Sequence, residues 1–79
     1  MTNKEIILDA LINDSEAITQ IKEYFHLLSV EISLEELNVV LEDLLEDEFI
    51  SIDKIWVNEL GEKPYTITEK GKQEWEKIR

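Results

Sequence analysis

The chain contains no cysteine, so neither a disulfide framework nor a thiolate metal site is open to it. Its one histidine, His26, has no second imidazole to work with, and no nucleophile elbow, phosphate loop or zinc signature is present. No apolar run reaches the roughly 20 residues that a membrane-spanning helix requires. No basic segment leads into an apolar one near Met1, as a signal peptide would show. These absences lead to the expectation of a cytoplasmic protein with no membrane association, no catalytic residues, no metal and no cofactor. The most informative absence is local. Residues 33–50 hold seven carboxylates and not one lysine or arginine.

What is present is a small, patterned, acidic chain. Its 79 residues carry a formal net charge of −11, and 43% of them are hydrophobic. An acidic chain of low hydrophobicity stays disordered, but clear periodicity here argues for a folded unit. Residues 1–79 are expected to form a single domain with one small core. The excess acid lies in the first two-thirds, because residues 51–79 hold six bases against six acids.

The stretch from Ser33 to Asp47 is the clearest element. Leu34, Leu37, Leu41, Leu44 and Leu45 recur at helical spacing. Ser33 occupies an N-cap position, and Glu36 three residues later completes a capping box. The opposite face carries Glu35, Glu36, Glu42, Asp43, Glu46 and Asp47. Upstream, Thr2 and Glu5 form a second capping-box pair before a helix over 3–12, with Ile6, Ile7, Ala10 and Leu11 as its apolar face. Asn13-Asp14-Ser15 breaks that helix, and Asp14 or Ser15 is expected to cap a second one over 15–28 with Ile18, Ile21, Phe25 and Leu28 inward. The link 29–32 lacks glycine and should tuck Val30 or Ile32 into the core.

After Asp47 the period shortens toward two. Ile50, Ile52, Ile55 and Val57 predict a strand, and Tyr65-Thr66-Ile67-Thr68 the strand that returns. Asn58 to Pro64, with Gly61, is the loop between them. Thr68 can cap a closing helix through Lys77, where Gly71 should serve close backbone packing. Lys70–Glu74 and Lys72–Glu76 are expected as i, i+4 pairs, with Lys77 and Arg79 at the C-terminal end. The fold class is therefore α+β: a three-helix core, a C-terminal β-hairpin and a short terminal helix.

That order, with Leu37-x-x-x-Leu41-x-x-Leu44 leading into Glu48-Phe49-Ile50 and Tyr65-Thr66-Ile67-Thr68-Glu69-Lys70-Gly71 closing the hairpin, resembles the winged helix-turn-helix regulators of the MarR-like and PadR-like families. The resemblance implies that residues 33–47 are a recognition helix and residues 58–64 a wing tip. The outer positions of that helix here include Glu35, Asn38, Val39, Glu42, Asp43 and Glu46. DNA affinity depends on cations that displace phosphate counterions, and carboxylates do the reverse. DNA binding is therefore doubtful on this reading. A protein partner, basic or a second copy of the chain, is expected instead at Glu35, Val39, Glu42, Asp43, Glu46 and Trp56. Trp56 faces outward if Ile55 and Val57 face the core; alternatively it covers the core while Ile55 faces out. One alternative is a DNA-binding regulator using the wing, with Lys54 and Lys63 on phosphates and Asn38 on a base. Another is a DNA mimic, whose acidic helix occupies a basic protein.

Overall fold

The computed structural model describes residues 1–78. Four helices and one hairpin follow in the order α1 (Asn3–Leu11), α2 (Ile18–Leu27), α3 (Leu34–Glu46), β1 (Ile50–Ile52), β2 (Tyr65–Ile67) and α4 (Glu69–Lys77). The expected three-helix core, hairpin and terminal helix are all present. Local capping explains most helix starts. The Thr2 hydroxyl accepts from the Glu5 amide, and the Glu5 carboxylate accepts from the Thr2 amide. Ser33 and Glu36 repeat that exchange ahead of α3. Thr68 accepts from Gly71 ahead of α4.

The second helix begins later than expected. Glu16 is drawn into the sheet: its N–H donates to the Tyr65 carbonyl at 3.1 Å, and its carbonyl accepts from the Tyr65 N–H at 2.8 Å. A backbone held in that antiparallel bridge is not free to enter a helix. Ala17 is therefore the N-cap, and only Gln20 reaches back, its side-chain oxygen accepting from the Ala17 amide. β1 and β2 pair antiparallel with Ile50 opposite Ile67, Ser51 opposite Thr66 and Ile52 opposite Tyr65. Glu16 extends the pairing beyond β2 by one bridge.

Ile6, Ile7, Leu8 and Leu11 of α1 meet Ile21 and Phe25 of α2 and Leu37, Leu41 and Leu44 of α3 in one core, closed by Ile32, Ile50 and Ile67. Ile32, not Val30, is the fully buried residue of the link. Leu34 belongs to the apolar stripe by spacing, yet it is half exposed at the first position of α3.

Both α2 and α3 end in Schellman motifs without glycine. Val30 N–H donates to the Phe25 carbonyl and Ser29 N–H to that of His26. Phe49 and Glu48 do the same to Leu44 and Leu45. Ser29 (φ 59°) and Glu48 (φ 61°) hold the left-handed position usually given to glycine. Gly71 has the opposite task. A Cβ there would overlap the Phe49 carbonyl oxygen and lie 2.7 Å from Ile67 Cγ1, so α4 meets the start of the hairpin backbone to backbone.

Two surface pairings expected on α4 are replaced. Lys70 turns away from Glu74, donates to the Asp47 carbonyl at 2.7 Å and stands 5.1 Å from the Phe49 ring centroid. Lys77 pairs with Glu74 at 3.7 Å, and Lys72 has no ion pair with Glu76 among the described residues. Arg79 lies outside the described residues. No helix is long and apolar enough to cross a membrane among those described.

Candidate nucleic-acid interface

The outward face of α3 carries Glu35, Asn38, Val39, Glu42, Asp43 and Glu46, all exposed. Val39 is 59% accessible, an uncommon investment of apolar surface on a polar face. Glu42, Asp43 and Glu46 share a shallow depression with Leu45. The acidic face adjoins the hairpin. Burial pushes the Tyr65 hydroxyl above the usual tyrosine range, and the nearby carboxylates of Glu42 and Glu62 push it further. α3 and the base of the wing therefore belong to one side of the molecule.

The wing itself departs from the expected continuous strand. Pairing stops soon after Ile52; the last rung is the Asp53 N–H on the Pro64 carbonyl at 2.9 Å. Asp53 then turns the chain, its Oδ1 accepting from the amides of Ile55 and Trp56. A side-chain acceptor of this kind competes with the ladder for backbone N–H groups. The alternation at 55–57 consequently has no sheet to act on. Neither expected orientation of Trp56 is found: Ile55 is 90% exposed, Trp56 69% and Val57 51%, with Leu60 at 70% nearby. Trp56, Val57, Leu60 and Pro64 face Ser15, Thr19 and Gln20 across an open groove of about 540 Å³. Trp56 thus lies in a different depression from the Glu42–Glu46 cluster.

The tip is nonetheless ordered by a polar clasp. Asn58 Oδ1 accepts from the amides of Leu60 and Glu62, and Gly61 supplies a positive φ of 78°. Asn58 Nδ2 donates to Glu62 Oε1 at 2.9 Å, and the Thr19 hydroxyl of α2 donates to Glu62 Oε2 at 2.8 Å. These two donors, Asn58 first, hold the Glu62 carboxyl below the usual carboxylate range. The sequence carried one signal for this, the Asn58-x-x-Gly61 turn pattern; Thr19 had none, being 43 residues away from Glu62.

The cations divide into two groups. Lys4 faces Asp47 at 4.0 Å, Lys22 donates to the Ile32 carbonyl, and Lys70 and Lys77 are engaged as above. Lys54 and Lys63 on the wing, with Lys72 on α4, hold no ion pair or side-chain hydrogen bond among the described residues.

No protein-family model matches the chain, and no curated protein sequence does. Solved structures do. The chain is similar to a PadR-family transcription regulator from hypervirulent Clostridium difficile, with a TM-score of 0.86 and 17% identity over 96% of this chain and 81% of that one. It is similar to Bacillus subtilis PadR in complex with operator DNA, with a TM-score of 0.80 and 28% identity over 95% of this chain, and it spans 45% of that protein's length. It is also similar to RosR of H. salinarum, with a TM-score of 0.81 and 18% identity over 99% of this chain and 69% of that one.

These likenesses overturn the expectation that DNA binding is doubtful, and with it the premise for a protein partner or self-association in place of DNA. A fold this close to the present one serves a regulator solved on its operator. The physical reason lies in what the charge argument weighed. It set the carboxylates of α3 against phosphate and matched the wing lysines with neighbouring acids by sequence. In three dimensions Asp53 and Glu62 are occupied within the wing, and Lys54 and Lys63 are left unpaired. The chain is a PadR-like winged helix.

Proposed function

We propose that this chain is a transcription regulator that binds duplex DNA, working in the cytoplasm. The observation that carries the reading is the likeness, across 95% of the chain at 28% identity, to a PadR solved with operator DNA. The division of labour differs from that of a basic recognition helix. Outward residues of α3 offer chemistry suited to base edges: Asn38 to adenine, the Glu35 and Glu42 carboxylates to the amino group of cytosine, and Val39 to the thymine methyl. They offer nothing to phosphate. Two like charges ~7 Å apart repel by about 0.6 kcal/mol in unscreened water, so α3 weakens binding to any duplex that supplies no compensating amino donor. Attraction to phosphate comes from Lys54 and Lys63. On this reading non-specific affinity is low and discrimination between sequences is high.

The test is selection of bound duplexes from a randomised library by the full chain, followed by anisotropy of the enriched duplex across a salt series. Enrichment of one motif is expected. Each phosphate contact contributes about −0.9 to the slope of log K against log salt, so two wing lysines give a shallow slope near −2. No enrichment, and no binding of any duplex at low ionic strength, would sink the reading.

A further inference from the structure

We propose that the wing grips DNA with an apolar wedge, Ile55 and Trp56, set at the minor groove between phosphate contacts from Lys54 and Lys63. The proposal rests on the DNA-binding reading above and assigns its principal source of grip. The first observation is exposure. Ile55 and Trp56 are 90% and 69% accessible at the turn that Asp53 closes, with Val57 and Leu60 exposed beside them. This is the molecule's densest run of exposed large apolar side chains. An apolar cluster of this kind marks a contact surface.

The second observation is charge. Lys54 and Lys63 have no partner within the described chain, while two of the wing's carboxylates are spent internally: Asp53 on backbone amides, Glu62 on Asn58 and Thr19. Glu59 is the one acid of the tip without such a bond among the described residues. The wing therefore presents an apolar apex with two free cations. An apolar protein surface would leave those cations unpaired, whereas a duplex offers a phosphate on each side of a groove. The minor groove, about 6 Å wide, receives apolar wedges that unstack a base step and bend the helix.

The third observation is rigidity. The Asn58–Glu62 turn and its bond to Thr19 hold the tip against α2 before any ligand arrives. A wedge held in place loses little conformational entropy on insertion. The acidic face of α3, next to the base of the hairpin through Glu42 and Tyr65, leaves the wing as the place where attraction can be concentrated.

The experiment uses the full chain and the duplex enriched from the randomised library. Affinity is read by anisotropy, bending by energy transfer between dyes at the two duplex ends, and stability by thermal melting. Trp56→Ala is expected to weaken binding by about 10-fold or more, to reduce the bend, and to leave both the salt slope and the melting temperature unchanged. Trp56→Phe should restore most of the affinity and bend. Changing Lys54 and Lys63 together to glutamine should make the slope shallower by about 2 and keep the bend. If Trp56→Ala and Ile55→Ser bind and bend the duplex as wild type does, the wedge is overturned while the DNA-binding reading stands. A Trp56→Ala variant with unchanged DNA affinity but altered sedimentation would make the patch an interface between copies, and also overturns it. If wild type binds no duplex at all, the DNA-binding reading itself has failed, and the wedge falls with it.

Discussion

The indole N–H of Trp75 donates to Asp9 Oδ1 at 3.0 Å, joining the last helix to the first. The other oxygen of the same carboxylate accepts from the Tyr24 hydroxyl of α2. One half-buried acid therefore ties three helices together. The Tyr24 hydroxyl is pushed above the usual tyrosine range, first by that hydrogen bond. Asp9→Ala removes the acceptor shared by two aromatic donors. Hydrogen bonds to charged groups are worth about 1.5–3 kcal/mol, so a loss of that order is expected in urea unfolding, with the m-value unchanged. In a cycle with Tyr24→Phe, the double variant should lose less than the sum of the single losses. Additive losses would show that the two groups do not act together.

Glycine is required at one crowded position and absent from two where it fits. Gly71→Ala adds a methyl against the Phe49 carbonyl and the Ile67 side chain. Overpacking costs about 1–3 kcal/mol, which outweighs the roughly 1 kcal/mol that alanine gains in helix propensity. The melting temperature should fall. Glu48→Gly should raise it, by relieving a left-handed glutamate at φ 61° and removing a negative charge from the carbonyl end of α3. The gain should be about 0.5–1 kcal/mol, reduced by the freedom glycine adds to the unfolded chain. Calorimetry of the two variants checks both signs.

The wing clasp should loosen in acid. Hydrogen bonds from Asn58 and Thr19 lower the Glu62 pKa in the folded state. Such a group contributes stability above the ordinary glutamate value of about 4.3, and the contribution is lost as pH falls through the lower folded value. Glu16 acts in the opposite sense, since burial first and Asp14 second raise its carboxyl and make its ionised form the costly one. Global melting therefore reads both together. Amide exchange at Leu60 and Glu62, corrected for intrinsic rate, reads the clasp alone. Protection there should fall on acidification, and Glu62→Gln should abolish that pH dependence.

Salt should stabilise the domain. Of the seven carboxylates in residues 33–50, only Asp47 has a cation within 4.0 Å among the described residues. Screening shortens the reach of the remaining repulsion to about 8 Å at physiological ionic strength. The melting temperature near neutral pH should rise from low to moderate sodium chloride. A fall would mean that attractive pairs such as Lys4–Asp47 and Lys77–Glu74 dominate.

The features legible in the sequence are those decided within a turn or two of chain. Ser33 and Glu36, Thr2 and Glu5, and Thr68 cap their helices through bonds three residues apart. Leu37, Leu41 and Leu44 are fully buried because helical periodicity alone puts them on one face. Gly71 was legible as a close approach, though not what it approaches. Tertiary structure decided the rest, through partners far apart in sequence. Glu16 leaves the start of α2 because Tyr65 takes its backbone, and Trp75 finds Asp9 across 66 residues. The sign of the charge argument was decided there too. Counting acids near Lys54 and Lys63 treated Asp53 and Glu62 as free charges, but folding commits them to Ile55, Trp56, Asn58 and Thr19. A formal charge is a property of composition, whereas the charge a surface offers depends on which groups the fold has already satisfied.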